Sequence, residues 1–192
     1  MEEFQKFMQA VDCPDQVKTI YNVLFWTGIR IGELLALTLN DFDFDKCTLR
    51  INKTYTRHKK TDLIQDPKTE KSNRTISIPL FLKEDINTHI SKLYDYSPDE
   101  RLFNIYKDAI GYYIDKYSPI AGVHRIRVHD LRHSHASLLI NLGEPPLLIQ
   151  ERLGHENIET TLNTYSHLYP NQQAKLADKL QQTFINSTIS VR

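Results

Sequence analysis

Four short stretches concentrate side chains able to handle an anionic oxygen: TGIRIGELLAL at 27–37, PKTEKSNRTISIP at 67–79, VHDLRHSHAS at 128–137 and RLGHENIETTLNTYSH at 152–167. Attack on a phosphodiester adds negative charge to the nonbridging oxygens, and guanidinium forks match that geometry, so Arg30 and Arg132 are suited to hold a phosphate. His129 and Arg132 lie three residues apart at an expected helix start and can project to one side. His155, just beyond Gly154, adds a further donor. Glu33, three residues after Arg30, either acts on a histidine or neutralises Arg30. A tyrosine phenol titrates near pH 10, so Tyr165 becomes a nucleophile only where cations lower its pKa or a base takes its proton. Taken alone, Tyr165 reads as an ordinary buried aromatic, seven residues after Ile158 on a short helix. The histidines at 124, 129, 133 and 135 invite a metal reading, because His129 and His133 share a helical face, but no HExxH is present. The reading adopted is no metal, with His133 and His135 structural.

The elements that must position these groups are helical for most of the chain. Val17, Ile20, Tyr21, Val23 and Leu24 recur near helical spacing from Pro14 to Phe25, and Gly28 ends that helix. A second helix runs through Ile31, Leu34, Leu35 and Leu37. Beyond Asp45 the pattern alternates: Leu49, Ile51 and Tyr55, then Thr75–Ile78, predict a small antiparallel sheet. Between them, Arg57–Ser72 is polar and rich in lysine and threonine, which predicts an exposed hairpin or flexible connection. Pro79–Leu93 returns to helical spacing, and the Pro98–Ile126 region holds another helix flanked by loops. Asp130 is the expected N-cap of a helix ending near Gly143, Pro145-Pro146 opens the next, and Gly154 closes it. A short helix at Ile158–Tyr165 and a polar one at Gln172–Phe184 complete the chain. The expected fold class is mainly α with a small antiparallel β-sheet, in one domain over residues 1–192.

Composition narrows the partners. The chain has 192 residues with 24 basic and 24 acidic side chains, so net charge does not advertise nucleic acid, and a DNA claim must rest on local charge. Arg50, Lys53, Arg57, Lys59, Lys60, Lys71 and Arg74 make the sheet and hairpin basic, while acids collect at Asp41, Asp43, Asp45 and between Asp95 and Glu100. Of these, Arg57, Lys59, Lys60, Lys71 and Arg74 are the candidate DNA-binding residues. Cys13 and Cys47 fit neither a metal nor a disulfide framework. No apolar run is long enough to cross a bilayer and the N-terminus lacks a signal-peptide core, so a soluble cytoplasmic protein is expected, nucleoid-associated when acting.

Together, and in this order along nearly the whole chain, the four stretches resemble the tyrosine recombinase (phage integrase) family. The resemblance implies the family's catalytic-domain fold and site-specific DNA recombination for a phage or mobile element, without cofactor, metal or ATP. Arg30 matches the first arginine, His129 and Arg132 the HxxR pair, His155 the later histidine and Tyr165 the nucleophile, with Tyr169 a rival that the TYSH frame disfavours. Glu33 matches the supporting acid. Lys68 is similar to the hairpin lysine, and a lysine on a mobile hairpin can protonate the departing sugar oxygen. The bond energy is kept as a phosphotyrosine ester, so a freed 5′-hydroxyl can reverse the step. Implied partners are a double-stranded DNA attachment site, further copies of the chain in a tetrameric synapse, and an accessory DNA-bending or directionality protein. Family members usually carry an N-terminal core-binding domain; none is expected within these residues, which read either as a minimal recombinase or, the favoured reading, as a fragment that binds its site weakly. A type IB topoisomerase-like relaxation activity and a catalytically silent DNA-binding regulator are the alternatives.

Overall fold

Left-handed glycines and prolines punctuate the helices where the sequence places them. The computed structural model describes residues 1–59, 61–67, 69–168 and 173–189. Helix α1 spans Glu2–Ala10 and α2 Asp15–Thr27, and Gly28, at φ 69°, turns the chain into α3, Ile31–Ala36. A Cβ at Gly28 would come within 2.5 Å of the His135 ring, so both backbone angle and space demand glycine there. After a 3-10 turn come strands β1 (Phe42–Asp43), β2 (Thr48–Ile51), β3 (Thr54–His58), β4 (Thr61–Gln65) and β5 (Arg74–Ser77). Helices α4 (Leu80–Ile90), α5 (Lys107–Ala121), α6 (Asp130–Asn141), α7 (Pro146–Leu153), α8 (Ile158–Tyr165) and α9 (Gln173–Ile189) follow.

The strands form two sheets rather than one. β1, β2 and β5 pair antiparallel in that order, with Leu49 opposite Ile76 and Ile51 opposite Arg74. Tyr55, expected in the same sheet, belongs to the separate β3–β4 hairpin, opposite Ile64. The break falls at Asn52-Lys53, where Lys53 leaves the ladder to pair with the buried carboxylate of Asp41. The hairpin expected over Arg57–Ser72 is present, but its first strand begins at Thr54. Asp130 is not the cap of α6. His129 holds that position, and the Asp130 carboxylate reaches back to accept the Arg127 backbone N–H at 2.9 Å and its guanidinium besides, closing the turn before the helix.

Among the described residues, two apolar clusters result. The larger joins α2 (Ile20, Tyr21, Leu24), α3 (Leu34, Leu35), β2 (Leu49, Ile51) and α4 (Leu82, Ile86), all fully or almost fully buried. Burial at roughly 25 cal/mol per Å² of apolar surface makes this the main source of stability. The smaller cluster holds Ala136, Ile140, Ile149, Leu153 and Tyr165, and it packs α6, α7 and α8 together.

Arg152 ties the smaller cluster to the rest. Its Nε donates to His135 Nε2 at 3.0 Å, and its terminal nitrogens donate to the carbonyls of Ser77 and Trp26, so one side chain joins α7 to α6, β5 and α2. Accepting from Arg152 requires an unprotonated Nε2 on His135. Burial first, and the Arg152 charge second, push this imidazole down to about 3. An unfolded histidine titrates near 6.5. The unfolded chain therefore takes up a proton that the folded one refuses, so this contribution to stability is complete above about pH 6.5 and is lost as pH falls towards 3. His155, pushed down to about 4, acts in the same direction. Urea unfolding at a series of pH values should show stability falling between pH 6.5 and 4, with a shallower fall in His135→Gln; equal slopes would contradict the assignment.

Candidate active site

Arg30 stands at the turn into α3, and its place there depends on Glu33. The Glu33 carboxylate accepts the Arg30 backbone N–H at 2.8 Å and the Arg30 Nη1 at 2.9 Å, as an acid three residues into a helix can. Arg74 on β5 approaches the same carboxylate through both terminal nitrogens, at 2.9 and 3.2 Å. Glu33 and Arg74 are both deeply buried, with side-chain exposures of 6% and 7%, whereas Arg30 is 39% exposed. Burial opposes ionisation of Glu33, but the hydrogen bonds and charges of Arg74 and Arg30 prevail and hold its carboxyl below the usual range.

Arg74 corrects an expectation. It was a candidate DNA-binding residue of the hairpin, but it lies inside, because Nε and Nη1 also donate to the carbonyls of Arg152 and Ser72. A Cβ on Gly154 would meet its Nη1 at 2.7 Å. Arg74 therefore positions Glu33 and the α7–α8 turn. The remaining basic candidates differ among themselves. Lys59 is exposed, and exposed Lys71 donates to the Glu156 carbonyl at 2.8 Å. Arg57 lies over the Tyr106 ring at 4.3 Å and within 3.5 Å of Asp62. Lys60 and Lys68 lie outside the described residues, as does Tyr169.

Arg132, on the first turn of α6, is buried and donates to the carbonyls of Gly28 and Leu153, each at 2.7 Å. Among the described residues no carboxylate pairs with it. Burial chiefly, then the nearby charge of Arg30, lower its pKa. Arg30 Nη2 meets the Gly154 carbonyl at 3.5 Å, so both arginines converge on the glycine-ended turn that carries His155. His155 Nδ1 is held 2.9 Å from the buried Thr161 hydroxyl. His129, at the α6 cap, is lowered by desolvation, then by the neighbouring His133 and Arg132.

Tyr165 closes the arrangement. Its ring is buried in the smaller cluster, as the plainer reading of an aromatic on a short helix expects, and its hydroxyl lies 2.7 Å from His133 Nδ1. Burial raises the phenol above its ordinary range, and the Arg132 charge pulls the other way. The structure thus gathers Arg30, Glu33, His129, Arg132, His155 and Tyr165 around one turn. It adds His133 and Arg152, to which the sequence gave no part in the site, and makes Arg74, a DNA-binding candidate there, a positioning residue. The only signal in the sequence for His133 was its helical spacing from His129. Nothing local marked the inward contacts of Arg74 or Arg152, which reach Glu33 and Trp26, 41 and 126 residues away.

Replacing Glu33 by Gln removes the charge that two guanidinium groups share, one of them buried. Breaking a buried pair from one side costs about 3–5 kcal/mol. Thermal and urea denaturation of Glu33→Gln should show a loss of that order, and a loss below about 1 kcal/mol would mean that the network is not coupled to folding.

Residues 1–172 match the model of the phage integrase family. The chain is 37% identical over 93% of its length to the ICEBs1 integrase of Bacillus subtilis, covering 52% of that protein. It is 30% identical over 96% of its length to a XerC-like tyrosine recombinase of Caldanaerobacter subterraneus, covering 54%. The chain thus spans about half the length of these curated relatives. Among solved structures, it superposes on the Tn1549 transposon integrase in complex with circular intermediate DNA with a TM-score of 0.77, at 24% identity, covering 95% of this chain and 64% of that one. The catalytic domain of bacteriophage HP1 integrase gives 0.61 at 22% identity, covering 93% and 90%. The fold expected from the sequence, mainly helical with small antiparallel sheets, is the one these recombinases share. A family match over nine-tenths of the residues, on that fold, leaves one conclusion: the chain belongs to the phage integrase family.

Proposed function

We propose that the chain is the catalytic part of a site-specific tyrosine recombinase that integrates or excises a mobile element. The observation that carries this is a tyrosine hydroxyl held on His133, the residue next to Arg132, a buried guanidinium that has no carboxylate partner among the described residues. Such a site suits an oxyanion, and a scissile phosphate provides one. Arg30, Arg132 and His155 hold the nonbridging oxygens, with His129 beside them. Tyr165 Oη attacks phosphorus, the bond to the 5′ oxygen breaks, and a 3′-phosphotyrosine ester forms. Lys68 gives the departing oxygen its proton. Attack of a partner strand's 5′-hydroxyl on the ester runs the same chemistry backwards, so neither metal nor ATP is needed. A relaxation enzyme or a silent regulator is disfavoured by the match to integrases and by the gathered set of side chains.

Side-chain geometry does not name an attachment sequence, so the probe is a library of nicked duplexes with randomised cores. Denaturation-resistant protein–DNA adducts, recovered and sequenced, should accumulate with the wild-type chain, with or without EDTA, and be absent with Tyr165→Phe. Arg132→Ala should lower the yield about 10²–10³-fold, the loss usual for one oxyanion donor. Lys68→Met should be rescued by a 5′-thiolate leaving group, which needs no proton. Cleavage without adduct, abolished by chelator, would overturn the proposal.

Self-association on DNA, in a four-copy synapse, is part of the same reading. On α9, Leu176, Leu180 and Phe184 recur every four residues and are all exposed, 49%, 62% and 66%. A face of this kind suits docking onto a second copy once DNA aligns the subunits. An accessory DNA-bending protein is compatible with it. Sedimentation equilibrium should find a monomer without DNA and a higher assembly on it, weakened by Leu180→Glu; a stable dimer without DNA would count against this arrangement.

A further inference from the structure

We infer that His133, and not only the family's set of residues, is catalytic: its Nδ1 receives the proton of Tyr165 as the phenolic oxygen attacks phosphorus. This rests on the tyrosine nucleophile of the reading above and names the group that activates it. The geometry is direct, since His133 Nδ1 and Tyr165 Oη are 2.7 Å apart, within the range in which a general base works. The other two imidazoles are placed otherwise. His155 spends its Nδ1 on Thr161, and His129 meets His133 edge to face, with ring centroids 5.2 Å apart. His133 thus stands between His129 and Tyr165 on the inner face of α6, four residues on from the helix cap.

A base is needed because the ring of Tyr165 is buried. Burial favours the neutral phenol, and the Arg132 charge only partly offsets it, so electrostatics alone do not supply a phenolate. With His133 the step balances. The Oη–H bond breaks and its proton passes to Nδ1; the oxygen's electron pair forms the Oη–P bond; the P–O5′ bond breaks, and the 5′ oxygen takes its proton from the general acid. When the partner strand attacks, the proton returns from Nδ1 to Oη. Charge ties the transfer to the substrate. A protonated His133 would stand among Arg132, His129 and His155, faced by Asp130 on its own helix, and the phosphate's growing negative charge is what offsets that cation. Proton transfer from Tyr165 is thereby tied to the binding of the phosphate.

The test uses the full chain and one duplex recovered from the adduct selection, nicked so that the cleaved fragment is lost and adduct formation is a single turnover. His133→Phe should slow that turnover about 10²–10⁴-fold, the span typical of a general base, while duplex affinity stays within a factor of about two. His133→Asn keeps a hydrogen-bonding group but cannot hold the proton, and it should be slowed as well. If His133→Phe does not fold by circular dichroism, His133→Asn carries the comparison. The decisive arm replaces Tyr165 by its trifluoro derivative, whose phenol ionises near neutral pH and needs no base. There the deficit of the His133 variant should shrink at least about tenfold. A His133 variant as fast as wild type, or a deficit that fluorination leaves unchanged, overturns the inference while leaving the tyrosine nucleophile standing. No adduct even from the wild-type chain would overturn the parent reading instead.

Discussion

Cation meets carboxylate unevenly at the centre of this molecule. Glu33 serves both Arg30 and Arg74, and Arg132 is buried nearby in the fold with main-chain carbonyls as its partners. Buried guanidinium groups are costly unless every N–H finds an acceptor, and here the acceptors are the ends of helices. Gly28, Leu153, Gly154 and Arg152 each offer a carbonyl at a helix terminus, where main-chain acceptors are unpaired and negative. The arginines thus staple α2, α6, α7 and β5 together while keeping a surplus of positive charge in one place.

That surplus explains why stability and chemistry share the same residues. The two glycines that close α2 and α7 adopt left-handed angles, and added bulk at either would strike His135 or Arg74. His135 must remain neutral to accept from Arg152, and Arg152 in turn holds α7, whose final turn presents His155. A disturbance far from Tyr165 reaches it through these few contacts. The small apolar cluster around Tyr165 completes the frame, because the ring that carries the hydroxyl is itself part of the packing of α6, α7 and α8.

Much of this was legible locally. Helix ends at Gly28 and Gly154, the proline opening α7 and the short helix at Ile158–Tyr165 follow from turn chemistry and periodicity, which depend on neighbours in sequence. The capping of α3 by Glu33 is local too. Elsewhere local rules were overridden. Alternation alone could not tell that Tyr55 leaves the first sheet, because the break falls where Lys53 pairs with Asp41, twelve residues away. Nor could charge counting separate Arg74, drawn inside by Glu33, from exposed neighbours such as Lys71. An arginine is a surface residue by default, and only a distant buried carboxylate reverses that.

From residue types and spacing alone, the sequence determined the family, the fold class and the candidates Arg30, Glu33, His129, Arg132, His155 and Tyr165, because motifs encode chemistry in short stretches of chain. It also left two descriptions of Tyr165 standing, core aromatic and reactive hydroxyl. Only the tertiary structure gave each part of the side chain its place: the ring is buried while the oxygen rests on His133, a residue 32 positions away. Contacts of that kind form when helices pack, and one strand of sequence carries no distance between faces that meet only after folding.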